Sequence, residues 1–200
     1  MNKQKHIILI HGKRTTGKDT LALLIKSHYE SQKLKVKSMA FAYATKVGYC
    51  TKYNIDLNKM LNDYTFKESH RAGLLNYFLT NENFEWYAEY VYKYIETENK
   101  QEHDNFDIFI IPDLRIKSHL NYFKQLMKSE LFNAKYKCTF IHIEASEETK
   151  LKRGWIKKPC DSDFTETDLD DYNNFDIVIK NDSSIDDLNN NIKLKLMLDV

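Results

Sequence analysis

Nine consecutive residues, Gly12-Lys13-Arg14-Thr15-Thr16-Gly17-Lys18-Asp19-Thr20, carry the densest chemistry in this chain. Gly12 and Gly17 let the backbone turn tightly, so that the N–H groups around Thr15, Thr16 and Thr20 converge on one anion. Lys18 brings a compact cation to the same point, where a following helix adds the positive end of its dipole. Such a loop holds the β- and γ-phosphate oxygens of a nucleoside triphosphate. The hydroxyl that usually follows the lysine and binds Mg²⁺ is replaced by Asp19, a hard oxygen ligand that can reach the metal directly or through water. Lys13 and Arg14 place two further cations in the loop, facing the nucleotide or a group in transfer.

Other charged residues stand where such chemistry would use them. Asp113 follows an apolar run and is expected at the carboxyl end of a sheet, where a carboxylate commonly orients Mg²⁺. Arg115, two residues on, would face the same cleft. Lys67 and Arg71 are four apart and would share one helix face. Lys150, Lys152, Arg153, Lys157 and Lys158 form a basic run before Pro159, suited to a lid that closes over a phosphoryl group.

Those residues need a scaffold. Residues 6–11 are a short, β-branched apolar run, as a fully buried parallel strand would be. A helical pattern follows from Lys18 to about Gln32, then a possible strand at Val36–Ala40. Residues from Ala44 to about Asn99 look helical and rich in aromatics, with Leu74, Leu75, Phe78, Trp86, Tyr87, Tyr90, Val91 and Tyr94 at the spacing of a packed helix face. Phe106–Ile111 is a second buried strand that should stop at Pro112. A helix over Ser118–Ser129, strands at Cys138–Glu144 and Phe175–Ile179, and a final helix over Ile185–Leu198 complete the pattern. Strands alternating with helices predict a three-layer α/β/α domain around a five-stranded parallel sheet. Its core would span 1–43 and 104–200, with a helical insertion over about 44–103 for an acceptor and a short lid over about 146–170.

The 200 residues suit one domain, with 42 % hydrophobic and 30 % charged residues. A net charge of +1 supplies no field toward nucleic acid or a membrane. No basic stripe interleaved with aromatics supports a nucleic-acid partner. Cys50, Cys138 and Cys160 lack metal-ligand spacing and are expected as reduced thiols in a cytoplasmic protein. The polar start and the four-residue run Ile7–Ile10 are too short for a leader or a membrane span. Monomer and homodimer are both left open. A guanine-reading Asn-Lys-x-Asp is missing: Asn58-Lys59-Met60-Leu61 and Asn99-Lys100-Gln101-Glu102 both fail, which argues against a GTPase switch.

The motifs also resemble a known family. Gly-Lys-Arg-x-x-Gly-Lys-Asp, Thr65-Phe66-Lys67-Glu68-x-x-Arg71, Asp113-x-Arg115, Arg153-Gly154-Trp155 and Phe175-Asp176-x-Val178-Ile179 resemble the animal-type phosphomevalonate kinases in order and spacing, with Pro159, Glu166 and Leu169-Asp170 in step. The resemblance implies a nucleoside monophosphate kinase-like fold, ATP and Mg²⁺, and phosphoryl transfer to the phosphate of (R)-5-phosphomevalonate. It implies catalytic roles for Lys13, Arg14, Lys18, Asp19 and, from the lid, Arg153. Lys67, Arg71, Asp113 and Arg115 would hold the acceptor, Asp19 and Asp113 the metal, and Asn181 would border the adenine. The chain departs from the family at Ile116, where a second arginine is usual, and at Trp86-Tyr87-Ala88-Glu89, which lacks a basic residue. The loop with its Asp is shared with phage deoxynucleoside monophosphate kinases, and Phe84, Trp86, Tyr87 and Tyr90 could stack a base. A deoxynucleoside monophosphate acceptor, or nucleotide binding without turnover, therefore remains open.

Overall fold

Residue alternation in the first strand sets the architecture. Ile7 and Leu9 enter one apolar cluster, Ile8 and Ile10 the other, and all four are fully buried. Only a strand covered on both faces needs apolar residues at every position. The computed structural model describes residues 4–80, 83–98 and 105–197. The Asn99–Glu102 segment, the 103/104 limit of the expected insertion and Leu198 lie outside the described residues.

Among the described residues, five strands pair in parallel: β1 (Lys5–His11), β2 (Val36–Ser38), β3 (Ile108–Leu114), β4 (Tyr136–Glu144) and β5 (Ile177–Lys180), in the order β2-β3-β1-β4-β5. Helix α1 (Lys18–Ser31) leaves the loop after β1. Between β2 and β3 run α2 (Phe41–Tyr53), α3 (Leu57–Asn62), α4 (Tyr64–Ser69), α5 (Arg71–Leu79) and α6 (Glu85–Glu98). Helices α7 (Lys117–Leu126) and α8 (Glu130–Asn133) lead from β3 to β4. Helix α9 (Glu147–Lys152), a 3₁₀ turn at Pro159–Ser162 and α10 (Phe164–Thr167) lead to β5, and α11 (Ile185–Met197) follows it.

Leu21 and Ile25 of α1 and Leu188 and Ile192 of α11 cover one sheet face. Val91 and Ile95 of α6 and Leu120 and Phe123 of α7 cover the other. Each such side chain contributes about 1.5–3 kcal/mol on full burial, so these two layers supply most of the driving force for the fold. The three-layer α/β/α architecture expected from the strand and helix pattern is the one observed. Because β3 lies between β2 and β1, the chain reverses its winding direction beside β1. The crevice at that switch opens above the carboxyl ends of β1 and β3.

Three local expectations are corrected. Strand β3 does not stop at Pro112 but continues to Leu114. The Ile110 carbonyl accepts from Met39, so Pro112, two residues on, faces the same edge, where the β2 pairing has already ended at Ser38. Its missing N–H breaks no ladder there. Strand β2 is shorter than expected, because Ala40 is already the N-cap of α2. Lys67 and Arg71 do not share one helix: α4 ends at Ser69 and α5 begins at Arg71, with His70 between them. The aromatic stripe is packing, as its helical spacing predicted. Tyr87 is fully buried, and Phe84, Trp86 and Tyr90 pack with Phe78 around Ala44 and Ile116.

Gly12 joins the sheet to the loop under a tight constraint, because a Cβ there would lie 2.5 Å from the Ile143 carbonyl oxygen of β4. Gly12→Ala should therefore push β1 and β4 apart at their carboxyl ends. A loss of about 1–3 kcal/mol in urea unfolding is expected, as for other overpacked core sites, and an unchanged midpoint would contradict it.

Candidate active site

The loop from Gly12 to Gly17 folds around the start of α1. Thr15 and Gly17 adopt left-handed backbone conformations (φ 63° and 98°), and Gly17 is the N-cap of α1 without a side-chain cap. The unpaired N–H groups of the first helical turn are thus left facing the crevice, where an anion would complete them. The Thr16 hydroxyl and the Lys18 ammonium both donate to the Lys13 carbonyl at 2.8 Å, closing the loop on itself. Asn181, just after β5, donates from Nδ2 to the Thr16 carbonyl at 2.8 Å. A Cβ on Gly17 would lie 2.4 Å from that same nitrogen. Asn181 is buried, so it braces the loop from beneath. Thr20 sits in the first turn of α1, and Asp19 beside it is exposed.

Lys18 is 9 % exposed. Burial pulls its pKa down to about 8, with Arg115 and then Arg14 adding repulsion and Asp19 and Asp113 opposing it. An anion in the loop would remove that strain.

Asp113 ends up beside the loop, as its strand position predicted. Its two oxygens accept from the Phe41 and Ala42 amides at 2.7 and 2.9 Å, satisfying the N-terminus of α2. Burial raises its pKa, against the pull of those amides and of Arg115 and Lys18. Asp113 thus ties β3 to α2, the helix that faces the neighbouring cavity.

That cavity, of about 390 Å³, brings together Arg14 of the loop, Lys67 of α4, Arg71 of α5, and Asp113 and Arg115. Lys67, Arg71, Asp113 and Arg115 are the sequence-predicted acceptor residues, assembled across a helix break and joined by Arg14, which was expected to be catalytic. Sequence reasoning missed Lys46. It lies on α2 with Ala42 and Thr45, and all three line the cavity. Burial, and then the nearby charge of Lys67, lower its pKa. The signal was present, since Ala42, Thr45 and Lys46 fall on one helix face. The apolar wall is made by Phe41, Leu74, Leu75, Phe78 and Ile116. Phe84, Trp86, Tyr87 and Tyr90 do not line it. Ile116, fully buried, is part of the wall where a second arginine would otherwise stand.

The segment from Pro159 to Asp171 supplies carboxylates to these cations. Arg14 donates to Asp161 at 2.7 Å and to the Cys160 sulfur at 3.2 Å. Lys13 pairs with Asp170 at 2.6 Å, and Arg115 pairs with the buried Glu166. Burial works to raise Asp161, yet the Lys158 amide and the Arg14 guanidinium hold it below its ordinary value. Of the basic run, Lys150 lies 4.3 Å from the Trp155 ring centre, and Lys150, Trp155 and Lys157 line a second cavity with Lys13 and Arg14. Arg153 is placed differently from the expected lid position over the transferred group. It donates to the Asn181 carbonyl at 2.8 Å and lines neither cavity.

Asp19 fits a divalent cation by its chemistry, being an exposed hard oxygen donor at the phosphate loop. Among the described residues no group of three or more His, Cys, Asp or Glu side chains is placed to hold a metal. Mg²⁺ in phosphate sites typically uses one or two carboxylates, waters and phosphate oxygens. No described helix is long and apolar enough to cross a membrane.

A helix N-terminus shaped for polyphosphate, opposite a cationic cavity for a second anion, is what a P-loop kinase needs, and the chain has that fold. The chain covers 100 % of itself and 97 % of the solved protein APE1195, at TM-score 0.53 and 14 % identity. It covers 98 % of itself and 94 % of a gluconokinase from Sinorhizobium meliloti 1021, at TM-score 0.50 and 11 % identity. A shikimate kinase from Aquifex aeolicus vf5 overlaps 97 % of each chain, at TM-score 0.49 and 16 % identity. At these identities the first two likenesses speak for the fold alone. The family is given by sequence: residues 10–129 match the model described as phosphomevalonate kinase, and the chain belongs to that family. No curated protein matches.

The depressed pKa of Lys18 has a consequence for stability. Below pH 8 the lysine is charged both folded and unfolded, and the fold bears its desolvation. Between about 8 and the ordinary 10.5 the folded state sheds the proton first, so stability rises with pH there. Measured against Lys18→Met, the native protein should gain unfolding free energy across that window, and a flat difference would show that Lys18 is not strained.

Proposed function

We propose that this kinase transfers the γ-phosphoryl group of ATP to the phosphate of (R)-5-phosphomevalonate, giving 5-diphosphomevalonate and ADP. The observation that carries the proposal is the convergence of Arg14, Lys46, Lys67, Arg71 and Arg115 on one cavity beside the loop. An acceptor that is already a phosphate dianion needs that neutralisation before it can approach another phosphate. Lys46 supplies a cation in the cavity wall that Ile116 does not.

Lys18 and the loop amides hold the β- and γ-oxygens, and Asn181 keeps the loop in shape. Asp19 would hold Mg²⁺ directly or through water, and the ion would supply further positive charge to the triphosphate. Asp113, with both oxygens on backbone amides, holds α2 in place and balances Arg115 and Lys18. Lys67, Arg71 and Arg115 hold the acceptor so that one of its phosphate oxygens lies in line with the γ-phosphorus. The new P–O bond forms as the bond to the β–γ bridging oxygen breaks, and that oxygen leaves on ADP. Lys13 and Arg14 exchange Asp170 and Asp161 for the oxygens of the moving group. Arg153 acts through Asn181 at the edge of the nucleotide site. No covalent enzyme intermediate is needed, since catalysis is positioning and charge.

A deoxynucleoside monophosphate acceptor has one supporting observation: the Phe41 and Phe78 rings line the cavity and offer a stacking surface. ADP release from MgATP, with phosphomevalonate, dTMP, dGMP, dCMP and dAMP supplied one at a time, separates the two. Turnover with phosphomevalonate is expected. Lys18→Met should abolish it, whereas Arg71→Met should raise the acceptor KM about tenfold, the worth of one charge-assisted contact, with little change for ATP. Turnover with a deoxynucleotide alone would transfer the assignment to that class, and ATP binding without ADP release would make the chain a nucleotide-binding protein.

A further inference from the structure

His119, in the first turn of α7, is a polar group in the cavity wall with no role in the scheme above. It is 3 % exposed and lines the acceptor cavity. Its ring centre lies 4.2 Å from that of Phe41, and it meets Phe78 and Tyr87 edge-on at 6.5 and 6.2 Å. Neither ring nitrogen closes a hydrogen bond of ordinary geometry within the protein; a weaker backbone hydrogen bond at Phe84 favours a proton on the ring and leaves at least one nitrogen without a partner. A buried polar group left this way costs about 1–3 kcal/mol. Such a cost is rare in native interiors and marks a place where something else supplies the bond.

The chemistry of the missing partner follows from the ring's surroundings. Burial drives the His119 pKa down to about 3, so the imidazole is neutral at any ordinary pH. One nitrogen then donates and the other accepts. No charged side chain contributes to that shift, in contrast to Lys18 and Lys46, which feel the other cations of the site. Ringed by Phe41, Phe78 and Tyr87, His119 stands at the aromatic end of the cavity. A carboxylate bonded to the ring itself would be desolvated with no counter-charge, so an acceptor's carboxylate has to turn toward the cations of the same cavity. A hydroxyl matches, because it can donate to one nitrogen or accept from the other.

We propose that His119 recognises the acceptor through a hydrogen bond to its uncharged hydroxyl, the tertiary alcohol of phosphomevalonate, while the cations hold the phosphate. This assignment rests on the acceptor proposed above. It makes His119 a specificity-determining residue, one that favours acceptors bearing a hydroxyl at that distance from the phosphate over apolar isosteres.

The test compares the native protein, His119→Phe and His119→Gln, each with phosphomevalonate and with the analogue lacking the tertiary hydroxyl. For His119→Phe the phosphomevalonate KM should rise about tenfold with the ATP KM unchanged, the worth of one neutral hydrogen bond. Deleting the hydroxyl should cost the native protein a similar factor and His119→Phe almost nothing, and His119→Gln should recover part of the discrimination. Equal losses on deleting the hydroxyl in native protein and variant would overturn the proposal, as would an unchanged KM. Should His119→Phe fail to fold, nitrogen NMR of histidine-labelled native protein decides, since saturation with the acceptor must shift the His119 ring signals and their constancy would overturn it. Absence of native turnover with phosphomevalonate would overturn both the acceptor assignment and this one. Normal turnover without the His119 effect would overturn this one alone.

Discussion

The whole site depends on keeping one short loop open with its amides turned inward. Left to itself, a run of backbone N–H groups and a lysine would collapse onto water or onto its own carbonyls. Here the Lys13 carbonyl is held by Thr16 and Lys18, and the Thr16 carbonyl by Asn181. Two acceptors of the loop are thereby satisfied; the Thr16 amide also turns to the Lys13 carbonyl, at 3.4 Å, and the first amides of α1 remain for an anion. Glycine is needed at 12 and 17 because the backbone of β4 and the side chain of Asn181 approach too closely for a Cβ. Strands β1, β4 and β5 meet at this junction, so the stability of the sheet and the shape of the loop are one constraint.

Concentrating cations around that loop creates a second problem, mutual repulsion in a partly buried space. The fold answers it with carboxylates from two directions. Asp113 comes from β3, and Asp161, Glu166 and Asp170 come from the segment after α9. Partly exposed pairs of this kind contribute little net stability. Their effect is to hold long, flexible side chains at defined positions, so that in the proposed reaction exchange of carboxylate for phosphate would cost little reorganisation. Lys18 and Lys46 lack an ion-pair partner among the described residues, and both have lowered pKa values. Incompletely compensated charge therefore lies at the loop and in the cavity wall.

The cavity wall has a charged part and an aromatic part, and the proposed recognition divides between them. Cations gather around Arg14, Arg115, Lys67, Arg71 and Lys46, while Phe41, Phe78 and His119 form an aromatic end. Charge alone would accept any phosphate monoester of suitable size. Shape and one neutral polar group are what can distinguish among them.

The amino-acid sequence by itself determined the phosphate loop, its strand and helix, the parallel three-layer fold and the family, because these rest on local patterns. Apolar alternation, glycine placement and the spacing of Lys18 from Gly12 act within a few residues and survive in any packing. The position of Asp113 was legible for the same reason, since a strand end fixes it. Tertiary structure decided which distant side chains meet. Lys67 and Arg71 converge through two helices rather than one, Arg153 turns to Asn181, and Lys46 and His119 enter the cavity although neither belongs to a motif. The acidic partners of Lys13, Arg14 and Arg115 lie between 51 and 157 residues away along the chain. No local period spans such separations. They are brought together by sheet order and by the burial of apolar helix faces, which a linear pattern announces without saying what those faces will carry beside them.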